Sequence, residues 1–259
     1  MKIGVCVGSR YEDAVKAKGY GYDYIETNCR AVADMDNDTL DKFKNIGIPV
    51  FAGCVFIGLR VVGKEKNEAA INEYLSRLFY KADYLGMKYM VFGSSGARRM
   101  KPEDGISLEE TRNQIADFLS NNVAPLCEKY GIRVVIEPLR PEECNVINTV
   151  PQAIEIAEKV GSKYIGVLAD VKHMICSDDP LESLSGYGKY LWHGHTSNPF
   201  PDPSLDKKRI YPKPDDKFNQ DDFFIPMMKA GVEHISIEAD LIDFDTDAPE
   251  ALKVLNKYR

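Results

Sequence analysis

The sequence predicts a (β/α)8 barrel, and three observations carry that expectation. Eight short β-rich runs alternate with longer amphipathic stretches along the whole chain. Several of those runs are continuously apolar, as strands covered on both faces are. A helix–Gly–strand junction recurs, at Gly86-Met87-Lys88-Tyr89, Gly131-Ile132-Arg133-Val134, Gly161-Ser162-Lys163-Tyr164 and Gly231-Val232-Glu233-His234. Alternation of this kind signals βαβ units and a parallel sheet. Eight units of about 32 residues would use all 259 residues, and barrels of about 250 residues form one domain. Residues 1–259 are therefore expected to be a single barrel domain. An open doubly wound sheet is the alternative; the first strand is not followed by Gly-x-Gly-x-x-Gly, which argues against dinucleotide binding.

The predicted strands are Ile3–Val7, Asp23–Glu26, Ile48–Cys54, Tyr89–Phe92, Arg133–Glu137, Tyr164–Asp170, Tyr190–His195 and His234–Glu238. Helices fit between them. Glu12–Lys18 is short, and Asp38–Ile46 has Asn37 or Asp38 available as a cap. Asn67–Leu85 carries Ala70, Ile71, Tyr74, Leu78 and Ala82 at helical spacing, and Gly86 stops it. Leu108–Tyr130 begins at Ser107 with Glu110 three residues on, the pattern of a capping box, and ends at Gly131. Val150–Val160 has Thr149 before it, Pro151 in its first turn and Gly161 after it. Leu181–Leu184 is weak, Gln220–Ala230 ends at Gly231, and Pro249–Asn256 closes the chain.

Composition narrows the class. The chain is 44% hydrophobic and 28% charged, ordinary for a globular protein. No run of 18 apolar residues exists, so no membrane span is expected. Met1–Val7 resembles a strand rather than a targeting leader, which predicts a cytoplasmic protein. The six cysteines are scattered with no Cys-x-x-Cys pair, which predicts free thiols rather than a disulfide scaffold or structural zinc. The net charge is −7, which argues against a polyanion binder and so against a nucleic-acid partner. One basic cluster, Lys207-Lys208-Arg209 with Lys213 beyond it, lies in a Pro-rich loop and reads as a solvated face.

In a barrel, chemistry collects at the C-terminal ends of the strands. Four successive predicted strands end there in a metal-ligand type: Val134-Val135-Ile136-Glu137, Val167-Leu168-Ala169-Asp170, His193-Gly194-His195 and Ile235-Ser236-Ile237-Glu238. Each has a bland alternative. A strand-end Glu is often a salt-bridge partner, Asp170 can cap a turn, and either histidine can be a satisfied core residue. Charge at the end of an apolar strand is nevertheless costly unless paired or coordinated. Four such accidents in consecutive strands are far less economical than one ion. Glu137, Asp170, His195 and Glu238 are therefore read as ligands of one divalent metal ion. Oxygen-rich ligation with one imidazole suits Mn2+ first, with Mg2+, Co2+ or Zn2+ as alternatives. His193 is the weaker of its pair, because His195 lies nearer the rim.

These segments, together with Ile136-Glu137-Pro138-Leu139, Asn148-Thr149 and Asp170-Val171-Lys172-His173-Met174, carry a resemblance. The chain resembles the xylose isomerase-like superfamily of sugar isomerases and epimerases, and within it the ketose 3-epimerase and hydroxypyruvate isomerase group. The resemblance covers roughly residues 84–240 closely and the first third by architecture alone. It implies that Glu137 and Glu238 are a paired acid and base as well as metal ligands. It further implies that His173 contacts a substrate oxygen, that Glu143 contacts the substrate and its neighbours, and that Arg209 follows the His-x-His strand as a substrate-binding arginine. The implied reaction is proton abstraction beside the keto group of a small sugar or keto-acid. A homo-oligomer is a further expectation of the group.

The chain also departs from the group's pattern. The loop from Thr196 to Lys208 is longer and contains Pro199, Pro201 and Pro203, and Pro212-Lys213-Pro214 replaces a Pro-Gly-x-Gly turn. Gly93-Ser94-Ser95-Gly96 reads as a turn, with phosphate binding through its N–H groups as the alternative. Other activities of the same superfamily are weighed on residues. A three-zinc apurinic-site nuclease needs histidines on earlier strands, whereas His173, His193, His195 and His234 all lie in the last third and strands three and four end at Cys54 and Phe92. A lyase or dehydratase acting on a keto or 3-keto sugar would share the same deprotonation, and a non-catalytic sugar-binding barrel would bind metal without proton exchange.

Overall fold

In the computed structural model, which describes residues 1–199, 209–240 and 243–259, eight parallel strands close into one barrel in sequence order. They are β1 (Lys2–Gly8), β2 (Tyr24–Asn28), β3 (Val50–Cys54), β4 (Tyr89–Phe92), β5 (Arg133–Ile136), β6 (Ile165–Asp170), β7 (Leu191–Thr196) and β8 (His234–Ile237). Lys2–Val5 of β1 pair in register with His234–Ile237 of β8 and seal the ring. All eight predicted strands are present, with ends shifted by a residue or two.

The helices are α1 (Tyr11–Tyr20), α2 (Cys29–Asp34), α3 (Asn37–Lys44), α4 (Glu68–Leu85), α5 (Ser95–Arg98), α6 (Leu108–Phe118), α7 (Ala124–Tyr130), α8 (Val150–Val160), α9 (Val171–Cys176), α10 (Asp221–Lys229) and α11 (Phe244–Leu255). Most seat an apolar stripe against the outer wall of the barrel. In α4 the stripe is Ile71, Leu75, Leu78, Phe79, Ala82 and Leu85, all buried. Each such side chain contributes about 1.5–3 kcal/mol when fully removed from water. Asn67 caps α4 by accepting from the Ala70 N–H, and Ser107 caps α6 through Glu110 N–H.

Four local expectations need correction. The α3 cap is Asp36, whose carboxylate accepts from Thr39 N–H, not Asn37 or Asp38. The helix expected over Leu108–Tyr130 is divided by a π turn at Leu119–Val123. Pro125 has no N–H to offer the Asn121 carbonyl one turn back, so the winding widens there. The last helix starts at Phe244, five residues before Pro249. The short α2, α5 and α9 were absent from the sequence reading; six residues or fewer carry too little periodicity to register.

Inside the barrel, side chains from alternate strand positions stack in layers. The floor is aromatic: His234 stacks on Phe51 at 4.2 Å between centroids, and His193 stacks on Tyr89 at 5.7 Å. Ala52, Cys54, Val91, Val135 and Leu168 fill the wall around it. The polar residues lie above this layer, toward the C-terminal ends of the strands.

Candidate metal centre and active site

The four predicted ligands converge. One atom each from Glu137, Asp170, His195 and Glu238 lie within 4.8 Å of one another. Nδ1 of His195 is the hub: it stands 3.2 Å from Glu137 Oε1, 3.2 Å from Glu238 Oε2 and 3.9 Å from Asp170 Oδ2. β5, β6, β7 and β8 each supply one of these groups within one residue of their last, so the shared twist of the barrel brings the side chains to one point.

Each ligand is held by the chain around it. Asp170 divides its oxygens: Oδ1 caps α9 by accepting from His173 N–H at 2.9 Å, and Oδ2 faces the cluster. Glu137 sits against Gly93, where a methyl group would lie 2.2 Å from Oε2. The Glu137 carbonyl accepts from Arg98, a side chain with no exposed surface whose guanidinium also donates to Phe92 O at 2.9 Å. Glu238 is anchored through its N–H to Thr196 O at 3.0 Å; its Oε2 is buried and accepts no hydrogen bond, meeting His195 and Arg209 as ion pairs.

This donor set fits a divalent cation. Three carboxylates and an imidazole are gathered in a water-poor pocket, an arrangement that repels itself unless positive charge is present. Burial alone would raise Glu137, but the hydrogen bond and charge of His195 hold it below the ordinary carboxylate value. Burial likewise opposes the imidazolium of His195, yet Glu26 and Glu137 push its pKa well above the ordinary value. The surroundings of His195 therefore favour positive charge at this point.

The predicted substrate contacts surround this cluster. Arg209 N–H and C=O bond to Asp240 at 2.8 and 2.7 Å, tying the arginine to the end of β8. Its guanidinium donates to Asp170 Oδ2 at 3.0 Å and meets Glu238. It also lies 2.5 Å from Nε2 of His173. Nδ1 of His173 accepts from the Arg140 N–H at 3.1 Å, so the ring proton belongs on Nε2. Burial first, then the charges of Arg209 and Arg140, hold His173 well below its ordinary pKa, which keeps the ring neutral. His173 Nε2 and the Arg209 guanidinium thus stand side by side at the edge of the cluster. Glu143 stands further out: its carboxylate pairs with Arg140 Nε at 2.8 Å and reaches His173 only through that residue.

The Gly93-Ser94-Ser95-Gly96 run leads from β4 into α5, which begins at Ser95. Ser94 Oγ accepts from Ile57 N–H at 3.1 Å and Ser95 Oγ donates to Glu143 O. Lys207, Lys208, Pro201 and Pro203 lie outside the described residues. The cysteines are all free thiols, and no described helix is long and apolar enough to cross a membrane.

One buried acid escaped the sequence reading. Glu26 at the end of β2 has no exposed surface and faces Nε2 of both His195 and His193 at 3.1 Å. The signal was present, because the predicted strand Asp23–Glu26 ends on it. Arg98 had no such signal, because its partners are the main-chain carbonyls of Phe92 and Glu137, brought near only by folding, and Arg140 meets His173 through its own main-chain N–H.

Comparisons with known proteins agree with this architecture. The model of the family described as xylose isomerase-like TIM barrel matches residues 14–258. An inosose isomerase of Bacillus velezensis is 27% identical over 218 residues, covering 78% of this chain and 72% of that protein. The crystal structure of the 3-keto-D-glucoside 4-epimerase YcjR from E. coli superposes with a TM-score of 0.80 at 19% identity, over 99% of each chain. A crystal structure of IolI with a bound zinc atom gives 0.71 at 23% identity, over 100% of this chain and 96% of that one.

Proposed function

Because the chain belongs to the xylose isomerase-like TIM barrel family, we propose that it is a metal-dependent sugar isomerase or epimerase that works by proton transfer beside a keto group. The observation that carries this reading is the convergence of Glu137, Asp170, His195 and Glu238 with a neutral His173 turned toward the same point. Two of the proteins named above are by name an inosose isomerase and a 3-keto-D-glucoside 4-epimerase, so the substrate is proposed to be a small polyhydroxylated ketone.

Glu137, Asp170, His195 and Glu238 would hold the ion. Bound there, a divalent cation such as Mn2+ would supply Lewis-acid polarisation of the substrate carbonyl. The remaining work falls to the chain. Glu137 and Glu238 follow β5 and β8, with β6 and β7 between them, and each places a carboxylate oxygen 3.2 Å from His195 Nδ1. One can take the proton from the carbon beside the carbonyl while the other delivers a proton to the opposite face. His173 Nε2–H and Arg209 donate to the oxygen on which negative charge develops. Burial of the pocket strengthens those hydrogen bonds by keeping water away.

The test is a panel of ketoses, keto-inositols and keto-acids incubated in D2O with protein loaded with Mn2+, Co2+, Mg2+ or Zn2+ and followed by NMR. Conversion with deuterium at the carbon beside the carbonyl is expected. Loss of water would assign a lyase instead, and turnover without any solvent deuterium would point to hydride transfer and sink the two-carboxylate reading.

A further inference from the structure

Glu26 occupies a layer just beneath the four ligands. A carboxylate removed from water costs several kcal/mol unless its lone pairs find donors. Here three donors converge. Oε1 takes Nε2 of His195 at 3.1 Å, and Oε2 takes Nε2 of His193 at 3.1 Å and the Ser236 hydroxyl at 2.7 Å.

The opposite nitrogen of His195 gives this contact its meaning. Nδ1 faces Glu137 and Glu238, each at 3.2 Å. The two nitrogens of an imidazole are not equivalent: a proton held on Nε2 leaves the Nδ1 lone pair free to bind a cation. Were the proton on Nδ1, it would occupy the ligand position, and Nε2 would turn a lone pair toward a carboxylate. Glu26 itself is fixed. His193 stacks on Tyr89, so the group bracing Oε2 is braced in turn.

We infer that Glu26 is the positioning residue of the metal centre: it sets the tautomer and ring plane of His195, and His193 and Ser236 hold Glu26 to that task. The inference rests on the proposed metal site. Cys6, Glu26 and His195 also lie within 4.8 Å of one another, but both oxygens of Glu26 are already engaged, so this is no second ion site.

Co2+ serves as the probe. Its dissociation constant is measured by chelator competition, and its visible spectrum reports ligand geometry, for wild type, Glu26→Gln, His193→Phe and Ser236→Ala. Circular dichroism and metal-free melting follow the fold. Glu26→Gln is expected to weaken Co2+ by about 10–100-fold and shift the spectrum. His193→Phe and Ser236→Ala, which loosen Glu26 without removing it, should each weaken Co2+ by less. A folded Glu26→Gln protein with wild-type affinity and spectrum would overturn the inference. Should that variant fail to fold, wild-type affinity in both His193→Phe and Ser236→Ala would overturn it equally. Failure of the wild type itself to bind Co2+ would remove the metal reading and this inference with it, an outcome distinct from the other two.

Discussion

Replacing Gly93 by Ala perturbs the proposed centre with a single methyl group. Gly93 follows β4, and its Cα lies against the Glu137 carboxylate. The added carbon would stand 2.2 Å from Glu137 Oε2 and 3.3 Å from its Cδ. Cδ is nearly tolerable there, so the clash is relieved by turning the carboxylate rather than by moving the backbone. To reach ordinary contact at 3.4 Å, Oε2 must retreat by about 1.2 Å, and a displacement of about 1 Å at a reacting group costs on the order of 10²-fold in rate. Oε1 turns with it and leaves Nδ1 of His195, now 3.2 Å away. Loss of that geometry should weaken Co2+ by about 10–100-fold, while overpacking costs the fold only about 1–3 kcal/mol. Chelator competition and the Co2+ spectrum read the first effect, and urea denaturation of the metal-free protein reads the second. A Gly93→Ala protein that binds Co2+ with wild-type affinity and spectrum would refute the argument, since Glu137 could not then be ligating from this seat.

Two further outcomes follow from the same geometry. Arg209→Ala should bind Co2+ at least as tightly as wild type, because its guanidinium occupies Asp170 Oδ2 and Glu238, yet should lose turnover in the D2O assay; weakened Co2+ binding would show that Arg209 supports the ligands instead. His234 is held near a pKa of about 4, by burial first and then by His193, whereas an unfolded histidine titrates near 6.5. The unfolded chain therefore binds a proton that the native state refuses, so this contribution to stability is full above pH 6.5 and drains away as pH falls toward 4. His234→Phe, which keeps the stack on Phe51, should shrink the drop in urea midpoint between pH 7.5 and 4.5, and an equal drop in both proteins would contradict the assignment.

By itself, the sequence determined the barrel and the rim of its site. Apolar strands, recurring αβ glycines and amphipathic helices are local signals, and local signals repeated eight times admit one closed solution. The same periodicity marks strand ends, which is why Glu137, Asp170, His195 and Glu238 could be singled out before any coordinate. It would have marked Glu26 too. Tertiary structure alone decided which atoms meet. That Nδ1 of His195 faces the carboxylates and Nε2 faces Glu26 depends on ring orientation, which strand parity does not specify. The tautomer of His173 is set by the Arg140 N–H, thirty-three residues away in the chain, and the seat of Glu137 by the absence of a side chain at Gly93. Such contacts join residues on different strands through main-chain atoms and empty space. A sequence pattern records neither, because the identity of a residue does not report where its neighbour's backbone will pass.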